Sequence, residues 1–393
     1  GITSSTRVGN PALRPELQRE TEFGTDLGFL DQKVDLSVVM YNKRSNDVIL
    51  PITVNSAATG FLSAFRNTGA LTNKGLEITL NARPYTTQNL AWEVGVQFGR
   101  NKGNVTDLGG AQIFDLLEGF GSNSAEGADV IGYAPGVIIG TAFVHCGNGT
   151  QIEVPGIAGG TVPQDIDALC AATPGGFKPN ALFLGPDGLP IADPQVRVIG
   201  DPHPKYTMSY TSSLKIKNRL TVSGLLDVRK GGTIYNGTRG ALYVFGTHVD
   251  TDRRSGTGQY GKDYDTKIYP NVAGPGTGVV GLKTPVDWER WMSIVGTGGG
   301  FSGPSEQFME DGGFVKLREI SLTLSLDQPF IKNLLGFSSA DIRFAGRNLK
   351  TWANYRGLDP EVNNAGAEYL TQGLDWFANP HTRSFVLSFS LNR

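Results

Sequence analysis

A glycine-rich segment near the middle of the chain comes close to a phosphate-binding motif. "GTGQYGKD" (256–263) has the spacing GxxxxGK, in which backbone amides and a lysine cradle phosphate groups. The motif continues with a hydroxyl side chain that binds Mg²⁺, but Asp263 stands at that position. A carboxylate would repel phosphate, and no apolar strand leads into the segment. The sequence therefore predicts a surface loop here.

Carboxylates cluster around the same segment, at Asp250, Asp252, Asp263 and Asp265. Carboxylate oxygens are ligands that Ca²⁺ prefers, but this spacing does not match a calcium-binding loop. We expect solvated loop charges and no resident cofactor, with a loop Ca²⁺ as the weaker alternative. The four histidines are scattered, and no GxSxG or similar nucleophile motif accompanies them. The sequence shows no catalytic constellation and predicts a protein that is not an enzyme.

The two cysteines, Cys146 and Cys170, lie in a stretch rich in glycine and proline. His145 adjoins the first of them, but no CxxC or HxxxH partner supplies the further ligands of a metal site. The pattern favours a disulfide that closes a surface loop in an oxidising compartment. Two unpaired thiols are the alternative.

Aromatic residues are the remaining candidates for ligand contact. Trp288, Trp291, Trp376 and Tyr260 lie in segments between the predicted strands. The C–H faces of sugars are apolar and stack on aromatic rings, so these residues are candidate substrate-binding residues. The alternative for each is packing within a loop or an interface with another protein.

The elements that must position these residues are long strands with alternating apolar and polar side chains. In the last one, Phe385, Leu387 and Phe389 share one face, whereas serines occupy the other. Strands of about ten residues with an apolar face and a polar face are typical of membrane-spanning β-barrels. We therefore predict that these three residues face lipid. About nine segments show the pattern, at 19–29, 34–44, 75–84, 90–100, 205–217, 220–231, 314–327, 341–349 and 382–392.

Composition agrees with an all-β fold. The chain has 53 glycines and only 18% charged residues, which suits turn-rich β structure. A net charge of −2 does not indicate the excess of positive charge that is typical of nucleic-acid-binding proteins. No apolar run approaches the length of a membrane helix, and the start of the chain lacks the pattern of a signal peptide. An antiparallel transmembrane β-barrel is the predicted fold, with a soluble β-sandwich as the alternative.

Connection lengths alternate between short turns and long links. Such barrels have short periplasmic turns and long extracellular loops, so 101–204 and 232–313 are predicted as large extracellular loops. The stretch "GVIIGTAFV" (136–144) looks like a strand but breaks this alternation, and we place it in an extracellular loop, outside the series of barrel strands.

The number of predicted strands, nine, is odd, whereas bacterial single-chain barrels have even numbers of strands. The chain (1–393) is thus expected to be the C-terminal part of one barrel domain, as a fragment or as one chain of a split barrel.

Several stretches, in order, resemble one family. They are "NPALRPELQRETEFGTDLGF", "YNKRSNDVIL", "FRNTGALTNKGLEITLNA", "VIGDPHPKYTMSYTSSLKI", "GGTIYNGTR", "EDGGFVKLREISLTLSL" and "GRNLKTWANYRGLDPEVN". Together they resemble the C-terminal barrel half of TonB-dependent outer-membrane transporters, most closely the SusC/RagA-like branch.

The end of the chain departs from the family pattern in two places. It closes with "SLNR" and not with an aromatic residue, and "WFANP" stands where the family has "YP".

The resemblance implies a barrel of about 22 strands filled by a plug. The N-terminal barrel half and the plug are expected beyond the residues 1–393, in the same or in a separate chain. The further expected partners are TonB, a SusD-like lipoprotein and the lipid bilayer, in the outer membrane of a Gram-negative bacterium. The implied function is TonB-energised import of oligosaccharides or peptides. A structural role in a surface assembly without transport is the alternative, and a soluble β-rich binding module is a third hypothesis.

Overall fold

The computed structural model describes residues 7–54, 56–117, 125–146, 151–155, 161–165, 168, 171, 192–245, 247–248, 303–326, 337–364 and 371–392. Strands dominate these ranges. The helices found in them are all too short or too polar to cross a membrane.

The elements follow one another in a fixed order along the described residues. They are β1 (Arg7–Val8), β2 (Leu17–Phe29), β3 (Val34–Thr53), α1 (Ser56–Thr59), β4 (Ser63–Thr86), β5 (Leu90–Leu108), β6 (Ile113–Leu117), β7 (Glu126–Val130), β8 (Val137–Phe143), β9 (Gln151–Pro155), β10 (Thr161–Asp165), β11 (Ala192–Gly200), β12 (Tyr206–Ile216), β13 (Leu220–Lys230), β14 (Thr233–Asn236), α2 (Gly237–Val244), a 3₁₀ helix (Ser305–Phe308), β15 (Met309–Asp311), β16 (Phe314–Leu326), β17 (Ser339–Ala353), β18 (Leu374–Asp375) and β19 (Ser384–Asn392).

Nine long strands form one continuous sheet in the order β2-β3-β4-β5-β12-β13-β16-β17-β19. Every neighbouring pair is antiparallel, and the short β1 adds a parallel pair on β4. These are the nine strands that the alternating pattern predicts, so the prediction of an antiparallel barrel wall is confirmed.

The pairing register aligns the apolar side chains into rows on one face of this sheet. Val222 pairs with Leu322, Leu322 with Phe344, and Phe344 with Leu387. These four side chains are 39–58% exposed, so the row lies on an uncovered outer surface.

We call the opposite side of the sheet the lumenal face. In the next row there, Ser223 pairs with Ser321. Side chains alternate across a strand, and this register keeps the two faces chemically separate.

Short turns join the strands at one end of the sheet, as predicted. Ile216 pairs with Leu220 across the 217–219 turn, where Lys217 and Asn218 have φ values of 48° and 54°. Left-handed backbone of this kind matches the twist of antiparallel hairpins, and asparagine tolerates it. This turn therefore fixes the register of β12 and β13.

The strands are longer at the other end than the sequence predicts. The residues between the predicted strands 34–44 and 75–84 are mostly strand, since β3 continues to Thr53 and β4 begins at Ser63. Leu50, Val105 and Leu108 form a buried cluster beside this extension, which gives it an apolar core of its own. The strands predicted from sequence end too early because polar residues interrupt the alternation there.

The predicted loops 101–204 and 232–313 contain regular structure in their described parts. The first contains a four-stranded sheet in the order β11-β8-β7-β6 and the β9–β10 hairpin. The stretch 136–144 forms β8 of that separate sheet, so its predicted exclusion from the barrel series is confirmed. The second contains β14, α2 and β15, and β14 also pairs with β18 in a three-stranded sheet. We refer to the latter as the β14 sheet.

Two neighbouring residues of β19 test the assignment of the two faces. Phe389→Arg places a charge on the apolar face and is expected to destabilise the protein by about 2–4 kcal/mol near the bilayer midplane, and by less toward the interface. Ser390→Arg is the matched control, because it points to the lumenal face opposite Asp341 and is expected to change little. Thermal unfolding of the full-length protein in lipid vesicles measures both. Equal destabilisation by the two variants would contradict the assignment.

Candidate functional site on the lumenal face

Charged side chains gather on the lumenal face where β13 and β16 pair. The register shifts between Leu225 and Leu226 of β13, so that Arg318 is an extra residue in β16. A bulge of this kind changes the direction of a side chain relative to its neighbours. Here Arg318 turns toward Asp227 of β13, to which its Nη2 donates a hydrogen bond of 2.9 Å.

These charges hold a loop against the wall of the barrel. The Asp359 loop, residues 354–364, follows β17. Lys316 Nζ of β16 donates hydrogen bonds to Asp359 Oδ1 at 2.6 Å and to Glu361 Oε2 at 2.5 Å. Arg318 Nη1 donates to the same Glu361 oxygen at 2.6 Å. Lys316 and Asp359 are 3% and 6% exposed, so the loop and the wall meet through a buried ion-pair network.

The network also sets the protonation of its carboxylates. Burial acts to raise the pKa of Asp359, but hydrogen bonds from Lys316, the Glu361 backbone and His381 lower that pKa to about 2. The pKa of Glu361 is likewise lowered, because the hydrogen bonds of Arg318 and Lys316 outweigh its burial. Both side chains are therefore carboxylates at neutral pH.

Three of these residues have the chemistry of a metal site. Ligand atoms of Asp359, Glu361 and His381 lie within 4.8 Å of one another. However, the Lys316 ammonium already contacts both carboxylates and supplies the positive charge that a cation would bring. The arrangement thus works as an anchor for the loop.

A second buried network joins the Asp359 loop to the β14 sheet. Arg239 of α2 forms a salt bridge of 2.8 Å with Glu310 of β15, and both side chains are almost fully buried. Asn236 caps the helix by accepting a hydrogen bond from the Arg239 amide at 2.9 Å. The backbone amide of Arg356, in the Asp359 loop, donates to the other Glu310 oxygen at 2.7 Å. The barrel wall, the Asp359 loop and the β14 sheet are therefore connected by ion pairs and by hydrogen bonds to carboxylates.

A cavity of about 1210 Å³ opens on the lumenal side of β3, β4, β5 and β12. The 132–135 segment covers part of it and is fixed to β5, because Val105 N donates to Tyr133 O at 2.8 Å and Gly132 N donates to Val105 O at 2.9 Å. Pro135 lies so close to Gly103 that a Cβ there would be 2.7 Å from the Pro135 ring. Residues that line the cavity include Gln18, Tyr41, Lys43, Ser45, Asn73, Glu77, Asn101, Tyr133, Asp201, His203, Lys205 and Thr207.

The structure buries one of the predicted substrate-binding residues. Trp376 is only 6% exposed and packs on Tyr235 of β14, with ring centroids 5.5 Å apart. The backbone of Gly237 lies against it as well, where a Cβ would be 2.6 Å from the indole. Packing inside the β14 sheet leaves no open ring face, so this residue does not fit the predicted stacking of a sugar. Trp288, Trp291 and Tyr260 lie outside the described residues and stay predictions.

The other predicted sites have mixed outcomes. Cys146 is buried and disulfide-bonded, while Cys170 lies outside the described residues, so their pairing stays a prediction. The exposed fractions of Phe385, Leu387 and Phe389 are 63%, 58% and 68%, and their contact with lipid stays a prediction. The segment 256–263 and the four aspartates at Asp250, Asp252, Asp263 and Asp265 fall in the part of the chain that the structure does not describe.

Sequence reasoning missed the ion-pair network. The stretches "EDGGFVKLREISLTLSL" and "GRNLKTWANYRGLDPEVN" contain its cations and its loop carboxylates. Three charged residues close together in one strand, Lys316, Arg318 and Glu319, were the available signal. Their carboxylate partners in the loop lie far along the chain, at separations of 43 and 45 residues from Lys316, and no local pattern links them.

Comparisons with known proteins agree with this fold. Residues 1–127 match the family model described as TonB dependent receptor-like, beta-barrel. The TonB-dependent receptor P3 of Formosa agariphila is 25% identical over 393 residues, which cover 98% of this chain and 35% of that protein. The TonB-dependent receptor SusC of Bacteroides thetaiotaomicron is 25% identical over 157 residues, which cover 38% of this chain and 16% of that protein.

Solved structures show the same architecture. The structure of the RagAB peptide transporter aligns with a TM-score of 0.61 and 18% identity, covering 100% of this chain and 36% of the matched chain. The RagAB structure in the 'open-open' state aligns with a TM-score of 0.58. The chain therefore has a fold similar to part of the β-barrel of these TonB-dependent receptors. It resembles SusC and the RagAB transporter, as predicted, and it spans 35% of the length of P3 and of a second relative from the same species, the TonB-dependent receptor P26.

Removal of the central cation tests the loop anchor. Lys316→Met leaves the buried Asp359 carboxylate without its main partner, and breaking a buried pair in this way costs about 3–5 kcal/mol. We expect faster hydrogen exchange across 354–364 and a lower unfolding temperature. Lys350→Met, at an exposed position of neighbouring β17, is the control and is expected to behave like the wild type. Unchanged exchange in the Lys316 variant would refute the anchor.

The pKa of Asp359 predicts a pH dependence. The folded-state pKa of about 2 lies below the ordinary value of 3.8, so the folded state binds fewer protons between these two values. Stability from this carboxylate is thus fully present above pH 3.8 and is lost as the pH falls through about 2. Unfolding temperatures measured across this window should fall more steeply for the wild type than for Asp359→Asn. Parallel curves would show that Asp359 contributes nothing to the pH dependence.

Proposed function

We propose that the chain forms part of the wall of an outer-membrane importer that takes up oligosaccharides or peptides. The observation that carries this proposal is the division of the sheet into two faces. One is an uncovered apolar surface suited to lipid, and the other is a polar surface with neutralised charges and a large cavity. A polar lumen inside an apolar exterior is the arrangement that lets hydrophilic solutes cross a bilayer.

The relatives support a gated, energised process. Several are named TonB-dependent receptors, one of them SusC, and one of the matched structures is that of a peptide transporter, RagAB. We infer that a plug fills the barrel and that TonB opens it from the periplasm of a Gram-negative bacterium. A SusD-like lipoprotein is the inferred partner at the end of the barrel that carries the β14 sheet and the four-stranded sheet.

Uptake by whole cells tests this function. A strain that lacks the gene is complemented with the full-length protein, and fluorescent oligosaccharides and peptides are offered with TonB active or inactivated. We expect uptake only when both the protein and active TonB are present. The protein is quantified at the cell surface in every strain, so that loss of uptake cannot reflect loss of the barrel. Normal surface levels with no TonB-dependent uptake of either class would favour a structural role in a surface assembly.

A further inference from the structure

The outer face of β2–β5, on the side of the sheet that carries the apolar rows, becomes basic just beyond those rows. One row on this face consists of residues that each pair with the next across neighbouring strands, namely Phe23, Met40, Leu76 and Arg100. The row thus begins with apolar side chains and ends with a cation. Four more exposed cations follow on the same face, away from the short turns. We call the five together the cation patch: Arg19, Arg44, Lys74, Arg100 and Lys102.

The register places like charges directly opposite each other within the patch. Arg19 of β2 pairs with Arg44 of β3, and Lys74 of β4 pairs with Lys102 of β5. Like charges that face one another across two strands destabilise a sheet. None of the five cations forms an ion pair with a described residue, and Arg44 Nε donates to the neutral Asn46 Oδ1 at 2.9 Å. An anion from outside the sheet would therefore relieve a repulsion that the fold leaves in place.

The carboxylates of these four strands lie on the lumenal face. Glu20, for example, pairs with Lys43, which lines the lumenal cavity. Asp47 and Asp107 lie at or beyond the register shifts that end the regular pairing of β3, β4 and β5. The carboxylates within the regular stretches alternate away from the patch, and they are Glu20, Glu22, Asp26, Asp35, Glu77 and Glu93. The strands that carry the patch therefore do not neutralise it.

The backbone of β5 separates the patch from the lumenal cavity. The cavity borders every residue from Phe98 to Asn104, including Arg100 and Lys102. A continuous run of this kind is contact with the strand backbone, because alternate side chains point to opposite faces. Phe98 pairs with Ile78 on the apolar outer face, and the alternation continues without a shift to Arg100 and Lys102. The side chains of both cations thus belong to the outer face.

The position and the size of the patch fit a lipid headgroup. The patch adjoins the apolar rows that we expect to face lipid tails, on the side of the long links. Neighbouring strands are about 4.8 Å apart and successive residues of one face about 7 Å, so the patch is roughly 14 Å across. Lysine and arginine at the edge of an apolar surface extend their charges toward the polar interface, and guanidinium groups bind phosphate oxygens in pairs. Asn42, which pairs with Lys74, adds an amide donor between the cations.

We propose that the cation patch binds the phosphorylated headgroup of a lipid in the bilayer leaflet on the side of the long links. A phosphate between Lys74 and Lys102, or between Arg19 and Arg44, converts the repulsion within each pair into attraction to a shared anion. The acyl chains of the same lipid lie along the adjoining apolar rows, which a small soluble anion would leave uncovered. The inference depends on the membrane placement of the sheet and is independent of what the barrel transports.

Titration of the full-length protein in a neutral detergent tests the patch. The probe is diphosphoryl lipid A labelled on an acyl chain, compared with the same lipid after enzymatic removal of its phosphates. We expect the phosphorylated lipid to bind, and the dephosphorylated lipid to bind more weakly by about tenfold or more. Each cation near an anionic headgroup contributes about fivefold in affinity, so Lys74→Gln combined with Lys102→Gln should weaken binding about 25-fold. High salt should weaken binding to the wild type more than to this double variant.

Lys43→Gln combined with Lys205→Gln is the matched control. It removes the same charge from the lumenal face, where both lysines line the cavity, so it should bind the lipid like the wild type. Inorganic phosphate at the same concentration as the lipid should not displace it. Displacement by phosphate would reveal a site for free anions and would overturn the proposal. Equal affinity for the two lipids, no binding of either, or equal losses in the two double variants would overturn it as well.

Thermal unfolding separates lipid binding from a contact within the protein. In neutral detergent alone, Lys74→Gln combined with Lys102→Gln removes two opposed like charges, so its unfolding temperature should equal or exceed that of the wild type. Added diphosphoryl lipid A should raise the unfolding temperature of the wild type more than that of the variant. A variant that is less stable without lipid would show that the lysines are neutralised inside the protein. That result, or a changed oligomeric state with unchanged lipid binding, would contradict the proposal.

Discussion

The hydrogen-bond ladder between neighbouring strands is the constraint on which the rest of this structure depends. In a bilayer, backbone amides and carbonyls have no water to bond, so every strand must be paired on both sides. The described sheet satisfies this for the seven strands between β2 and β19, whereas β2 and β19 are its two edges. Because pairing fixes the register, it also decides which side chains face outward and which face the lumen.

This separation of faces allows the lumenal wall to carry charge at low cost. Lys316 and Arg318 are neutralised by Asp227 and by the carboxylates of the Asp359 loop. The same contacts fix the loop, and Glu310 links the loop to the β14 sheet. The result is a polar lumenal face on which the Asp359 loop and the β14 sheet are held by buried ion pairs.

The sequence was sufficient for the barrel wall and insufficient for the site. Strict alternation over about ten residues identifies strands such as 220–231. In a membrane-spanning strand the lipid-facing side is uniformly apolar and the lumenal side is uniformly polar. Above the wall that uniformity ends, and the extensions to Thr53 and Leu108 were missed because their apolar core depends on contacts between distant segments. The ion-pair network and the cavity depend on register and on tertiary contacts as well. Tyr41 reaches Asn101 only because Gly75 lies between them in neighbouring strands, a relation that appears only after β3, β4 and β5 are paired.

A density map of the intact protein in a lipid nanodisc tests the central claim most directly. We predict that these nine strands stand side by side in the wall of a closed barrel. Further strands pair with β2 and β19, the row from Val222 to Leu387 lies in the lipid belt, and a plug occupies the lumen. A map in which the apolar face of the sheet packs on a second protein layer in water would contradict it.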